Sequence, residues 1–108
     1  MAFIDLNSLN ANEIMEGFHG KFVHGKTMTT SFWNIKEGSI LPRHSHFHEQ
    51  ISVISEGRFE ITVGDETQVL EPGMVGVIPS NVEHEGKALT DCVIMDVFCP
   101  VREDYDNG

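Results

Sequence analysis

The chain has 108 residues, with 7 Lys and Arg against 17 Asp and Glu, a formal charge of −10. Apolar residues make up 40% and charged residues 22%, ordinary for a single globular domain that buries roughly 65% of its unfolded surface. The acid excess argues against a nucleic-acid binder, which needs a basic stripe, and against docking on an anionic membrane.

No stretch reads as a transmembrane helix, because apolar runs such as Cys92-Val93-Ile94-Met95 stop after a few residues. The first basic residue is Lys21, so no charged n-region of a signal peptide is expected, and the expected location is cytoplasmic. Cys92 and Cys99 are too few for a disulfide scaffold and form no CxxC. They read as reduced thiols.

In chain order, residues 8–16 predict a short helix, with Ser8 or Asn10 as its N-cap. After Gly17 the texture changes. Gly and Pro recur at short intervals between runs rich in Val, Ile, Phe and Thr, the pattern of an all-β sandwich or barrel. Expected strands are 18–24, 27–35, 49–55, 58–63, 67–70, 74–78, 85–89 and 91–98. The Glu56-Gly57 step predicts a hairpin joining 50–55 to 58–63. If Ser55 opposes Arg58, the more apolar face carries Gln50, Ser52, Ile54, Phe59, Ile61 and Val63 and points inward. Gln50 is then an interior amide in need of a partner.

The chemistry concentrates in histidines. His44-Ser45-His46 is an H-x-H on an extended segment, which sets two imidazoles on one face, and His48 follows closely. The cluster suits a metal; it also reads as a solvated His-rich loop. By side-chain chemistry His48 or Glu49 is a better third ligand than Gln50. The hairpin argument instead turns Gln50 inward and Glu49 outward, with a bend near Phe47 that returns Gln50 beside His46 and leaves His48 in the bend. His84 becomes a fourth ligand only if its segment returns antiparallel beside 44–50. His19 and His24 read as surface residues.

Asp96 interrupts an apolar strand and shares a face with Cys92, Ile94 and Phe98. A carboxylate there is costly unless paired or close to a cation, so it is a functional candidate beside its plainer reading as a structural Asp in a bulge or ion pair. Arg102 suits a bidentate clamp for a carboxylate, and equally a surface ion pair to Glu103 or Asp104. Phe32, Trp33 and Phe47 are candidate walls for a sugar pocket or members of the core; of Phe32 and Trp33, only one can face the cavity.

The stretch Gly38-x5-His44-x-His46-x3-Gln50-x6-Gly57 resembles the first motif of the cupin family, with Gln where that motif usually has Glu. Pro72-Gly73-Met74, Ile78-Pro79 and His84 resemble the second motif, whose terminal Asn is replaced here by Ala88. The resemblance implies an all-β, single-domain jelly-roll barrel (a double-stranded β-helix) over 1–108, with motif one near 38–57 and motif two near 64–88. It also implies a short N-terminal helix or extension, one divalent ion (Ni, Zn, Mn or Fe) on His44, His46, Gln50 and His84, and a homodimer. Neutral ligands would leave that ion its full charge, which favours Lewis acidity and anionic substrates.

The string HSHFHEQISVISEGRFEITVGDE and the ending D-x-F-x3-R-E-D, which starts at Asp96, resemble small cupins that linearise unsaturated galacturonates. Phe47 stands where those proteins usually have Pro. This resemblance implies Asp96 as acid/base, Arg102 as carboxylate clamp, and Phe98 and Trp33 against the sugar. The expected function is ring opening of a 4,5-unsaturated uronate, a small anionic sugar. Two alternatives are a cupin dioxygenase acting on a small molecule and a non-catalytic ligand-binding cupin.

Overall fold

The structure, a computed structural model, describes residues 2–107. Its strands are β1 (Asn12–Met15), β2 (Phe18–His24), β3 (Thr29–Ile35), β4 (Ile40–His44) and β5 (Glu49–Glu56), then β6 (Phe59–Val63), β7 (Glu66–Leu70), β8 (Val75–Ile78), β9 (His84–Ala88) and β10 (Cys92–Cys99). They form two antiparallel sheets. One has the order β1-β2-β3-β10-β5-β8 and the other β4-β9-β6-β7. Side chains alternate in and out along each strand, and the inward rows of both sheets share one core that includes Phe18, Trp33, Ile54, Phe59, Ile78 and Ile94.

That interior is polarised along the central strands. At one end Ile94 of β10 pairs with Trp33 of β3 and Ile54 of β5. At the other end Asp96 pairs with Ser31 and Ser52, and Phe98 with Thr29 and Gln50. Strand alternation therefore builds a dry end and a polar end into the same barrel. The exposed cysteine is Cys99 and the buried one Cys92; both are free thiols.

Three sequence expectations require correction. The helix over 8–16 is absent. A 3-10 turn, Leu6–Ser8, is capped by Asp5, whose carboxylate accepts from Asn7 N at 2.9 Å. The chain then becomes β1, whose residues Asn12 and Glu13 face Gly20 and His19 of β2. A helix this short nucleates poorly, and a ladder to β2 satisfies the same backbone groups while Ile14 and Met15 pack on the core.

The hairpin 50–55/58–63 is also absent. β5 pairs with β10 and β8, whereas β6 pairs with β9 and β7. Glu56-Gly57 carries the chain from one sheet to the other. The inward row nevertheless stands: Gln50, Ser52, Ile54, Phe59 and Ile61 are all buried, with Val63 half-buried. Facing survives because both sheets enclose the same core. Gly57 has φ +86°, and a Cβ there would collide with the Asp91 carbonyl oxygen.

Finally, β4 was not among the expected strands, although His44-Ser45-His46 was read as extended. It lies at a sheet edge with a register shift between Leu41 and His44, two features that let a strand tolerate the N–H that Pro42 lacks.

Candidate metal centre and pocket

β4 and β9 run antiparallel with His44 directly opposite His84, and Val63 of β6 flanks His84 on the other side. This is the return that the fourth-ligand expectation required. His84 starts a strand rather than lying in a loop. Beyond His44 the chain bends through Phe47 and His48 and re-enters as β5, which brings Gln50 Oε1 to 3.2 Å from His46 Nε2. His44, His46 and His84 offer ring nitrogens within 4.8 Å of one another.

The tautomers follow from the backbone. His44 Nδ1 donates to the Pro42 carbonyl at 2.7 Å, His46 Nδ1 to that of His48 at 2.9 Å, and His84 Nδ1 to that of Val82 at 3.0 Å. A carbonyl only accepts, so each proton sits on Nδ1 and each Nε2 presents a lone pair. His46 Nε2 and Gln50 Oε1 then face each other as two acceptors with no proton between them. Burial lowers the pKa of His46, aided by the Arg102 charge, and lowers that of His84 to about 4. Those two rings are therefore neutral near pH 7. Converging lone pairs without a proton suit a cation, and this donor set fits a borderline divalent ion.

The centre opens into a pocket of ≈ 570 Å³, counted out through its mouth. Asp96 lines it, buried, with its Oδ1 accepting from Ser52 Oγ at 2.5 Å. Burial pushes its pKa up to about 6, against the pull of hydrogen bonds from Ser52, Gln50 and Trp33 and of the Arg102 charge. Phe98, Arg102 and Tyr105 line the same pocket. The Arg102 guanidinium lies over the Phe98 ring at 4.7 Å and over the Tyr105 ring at 4.0 Å.

Some expected residues are placed differently. Arg102 faces the pocket, and it also holds Asp104 through Nε at 3.0 Å and Nη2 at 2.8 Å. The ion-pair reading is thus seen, with Asp104 as the partner, from a buried rather than a surface arginine. Trp33 faces inward and donates through Nε1 to Ser31 Oγ at 2.8 Å, while Phe32 faces outward. Phe47 is 60% exposed and packs on His48, outside the pocket lining. His48 is buried with Nε2 3.2 Å from the Val101 carbonyl oxygen, and it is not among the converging histidines.

Sequence reasoning missed Tyr105 and the role of Ser52. Tyr105 stacks on Phe22 with ring centroids 4.7 Å apart, and burial pushes its phenol up to about 12. Ser52 had a visible signal: it stands in the inward row between Gln50 and Ile54. Tyr105 had none, because its strand-free segment carries no periodicity.

A two-sheet antiparallel barrel with three histidines and an amide at its polar end is the architecture of metal-site jelly-roll barrels. The chain belongs to the cupin family: the Cupin domain model matches residues 31–98. It is 31% identical over 71 residues to the pectin degradation protein KdgF of Dickeya dadantii, a match spanning 64% of this chain and 64% of that protein's length. The structure of KdgF from Halomonas sp. superposes with a TM-score of 0.89 at 26% identity, covering 96% of this chain and 97% of that one. An RmlC-like cupin from Shewanella frigidimarina shares the fold, with a TM-score of 0.92 at 24% identity over 98% of this chain and 96% of that one. Among the described residues no helix is long and apolar enough to cross a membrane.

Proposed function

We propose that this protein opens the ring of 4,5-unsaturated galacturonate, or a close unsaturated uronate, as a metal-assisted step of pectin or uronate catabolism. The observation that carries the reading is a buried Asp96, hydrogen-bonded by Ser52, in one pocket with the converging ring nitrogens and a guanidinium. The likeness to a pectin degradation protein supports the substrate class.

The reaction is an isomerisation. The anomeric hydroxyl loses its proton, the bond from C1 to the ring oxygen breaks, and C4 gains a proton. The product has an aldehyde at C1 and a ketone at C5. Asp96 suits both transfers, since a group with a pKa near the working pH accepts and then donates efficiently. Arg102 orients the sugar carboxylate with the donors that Asp104 leaves free, and Phe98 supports the guanidinium. Trp33 forms the floor by packing and holds Ser31 rather than reaching the sugar through its N–H. When bound, a divalent ion on His44, His46, His84 and Gln50 supplies Lewis acidity and positive charge.

The test incubates metal-loaded protein with unsaturated galacturonate from a lyase digest and follows loss of the conjugated C=C absorbance. Loss faster than spontaneous opening, abolished by a chelator and by Asp96→Ala, is the expected result. An Asp96→Ala variant that keeps its metal and works at the wild-type rate overturns the role of Asp96. Metal binding without acceleration moves the function to the oxygenase or ligand-binding reading.

A homodimer is part of the same reading, closed across the outer face of the six-stranded sheet. There Ile51 pairs with Val77, Val53 with Val75 and Met95 with Val53. Ile51, Val75 and Val77 are 41%, 53% and 56% exposed. Contiguous apolar surface of this kind supports an interface there.

A further inference from the structure

We infer that Ser52 is a positioning residue whose single hydroxyl proton decides which atom Gln50 turns toward the histidines and holds Asp96 in place. The inference rests on the metal-site reading above and extends it to a pocket residue outside the converging histidines.

Ser52 sits mid-strand in β5, opposite Asp96 on β10 and Gly76 on β8. Gln50, Ser52 and Asp96 are all buried, 7%, 5% and 8% exposed, and all three line the pocket. Ser52 Oγ lies 2.5 Å from Asp96 Oδ1, and Gln50 Nε2 lies 3.1 Å from Ser52 Oγ. A carboxylate accepts only, and a hydroxyl has one proton. That proton is committed to Asp96. Ser52 Oγ is left with lone pairs that accept an N–H. Gln50 supplies it, and its Oε1 is thereby turned toward His46 Nε2.

Donation therefore runs one way, from Gln50 to Ser52 and from Ser52 to Asp96, and Gln50 also acts on the Asp96 carboxyl directly. It also explains why Gln stands at position 50. A Glu there has no N–H for Ser52, so two buried carboxylates would compete for one hydroxyl proton. The residue that offers an atom to the ion and the residue that moves the proton are coupled through one serine.

The experiment compares wild type, Ser52→Ala, Ser52→Thr and Ser52→Cys for binding of Ni²⁺ or Zn²⁺ alone, by competition with a chromogenic chelator. Ser52→Ala is expected to weaken binding about tenfold, as loss of an outer-shell partner does. Ser52→Thr is expected to restore most of the affinity. The residue paired with Ser52 on β8 is Gly76, which has no side chain to meet the added methyl. Ser52→Cys keeps the volume with a weak donor, should fall between, and decides the question if the alanine variant does not fold. Affinity equal to wild type in Ser52→Ala or Ser52→Cys overturns the inference, as does Ser52→Thr as weak as Ser52→Ala.

On the uronate, Ser52→Ala and Gln50→Glu should each lower kcat more than they change KM, and the double variant should lose no more than the worse single one. Additive losses overturn the shared chain. If wild type turns over no uronate, the proposed reaction fails while the metal-affinity arm still decides the role of Ser52.

Discussion

Asp96 and His84 titrate against each other across the same pH range. Asp96 has a native pKa of about 6 against 3.8 for a free Asp, so between these values the native state binds more protons than the unfolded one. Its contribution to stability is present below 3.8 and is lost as pH rises through 6. For a fully buried carboxyl this amounts to about 3 kcal/mol. His84, lowered from 6.5 to about 4, works in the other direction: stability is present above 6.5 and lost as pH falls through 4. His46 shifts the same way as His84. In chelator-treated protein, thermal melts from pH 4 to 6.5 should show a steeper rise of Tm in Asp96→Asn than in wild type, because the opposing group is gone. Equal slopes would mean that native Asp96 holds no more proton than it does in the unfolded chain over this range. Asp104 has a simpler part. The Arg102 guanidinium holds its carboxyl below the usual range through a paired hydrogen bond. Asp104→Ala should raise KM for the uronate about tenfold with a smaller change in kcat, since a hydrogen bond to a charged group is worth about 1.5–3 kcal/mol. Steady-state kinetics on the two proteins check this.

At the scale of elements, the site depends on two junctions. The first is the crossing at Gly57, where a positive φ and the Asp91 carbonyl leave no space for a side chain. Gly57→Ala should destabilise the protein by at least about 2 kcal/mol, the cost of a strained backbone plus a displaced loop. Urea unfolding should show a lower midpoint with an unchanged m-value. The second junction is the β4/β9 ladder. His44 faces His84 only in this register, and a slip of one residue would turn one ring away from the other. The backbone carbonyls of Pro42 and Val82 then set both rings with Nε2 inward. Strand pairing and tautomer are thus one device.

At the scale of the molecule, the six-stranded sheet is covered on one side only. Its inner face meets the four-stranded sheet, and its outer face carries Ile51, Val75 and Val77 in the open. Sedimentation equilibrium should give a dimer for wild type and a monomer for Val77→Glu, because a charge buried in an apolar interface finds no partner. A monomeric wild type, or a Val77→Glu dimer of undiminished strength, would remove the outer face as the interface. The pocket is lined by both sheets of one chain and Val77 is not part of that lining, so the Val77→Glu monomer is expected to keep its metal centre.

What was legible in the sequence is what depends on alternation and local spacing. Period-two patterning placed Gln50, Ser52, Ile54, Phe59 and Ile61 inside and Glu49 outside, and it put Asp96 on a buried row. The H-x-H spacing and the bend at Phe47 led to Gln50 beside His46. These properties follow from the two faces of a strand and hold whichever strand lies next to it. Pairing does not follow from them. Whether Glu56-Gly57 closes a hairpin or crosses between sheets, whether 8–16 coils or pairs with β2, and whether His84 meets His44 all depend on long-range ladders. So do the commitment of Arg102 to Asp104 and the wedge of Tyr105 against Phe22, contacts of a tail with no pattern of its own. Local chemistry determined which residues point inward, and only the tertiary structure decided which of them meet, because strand pairing is a choice among partners distant in the chain.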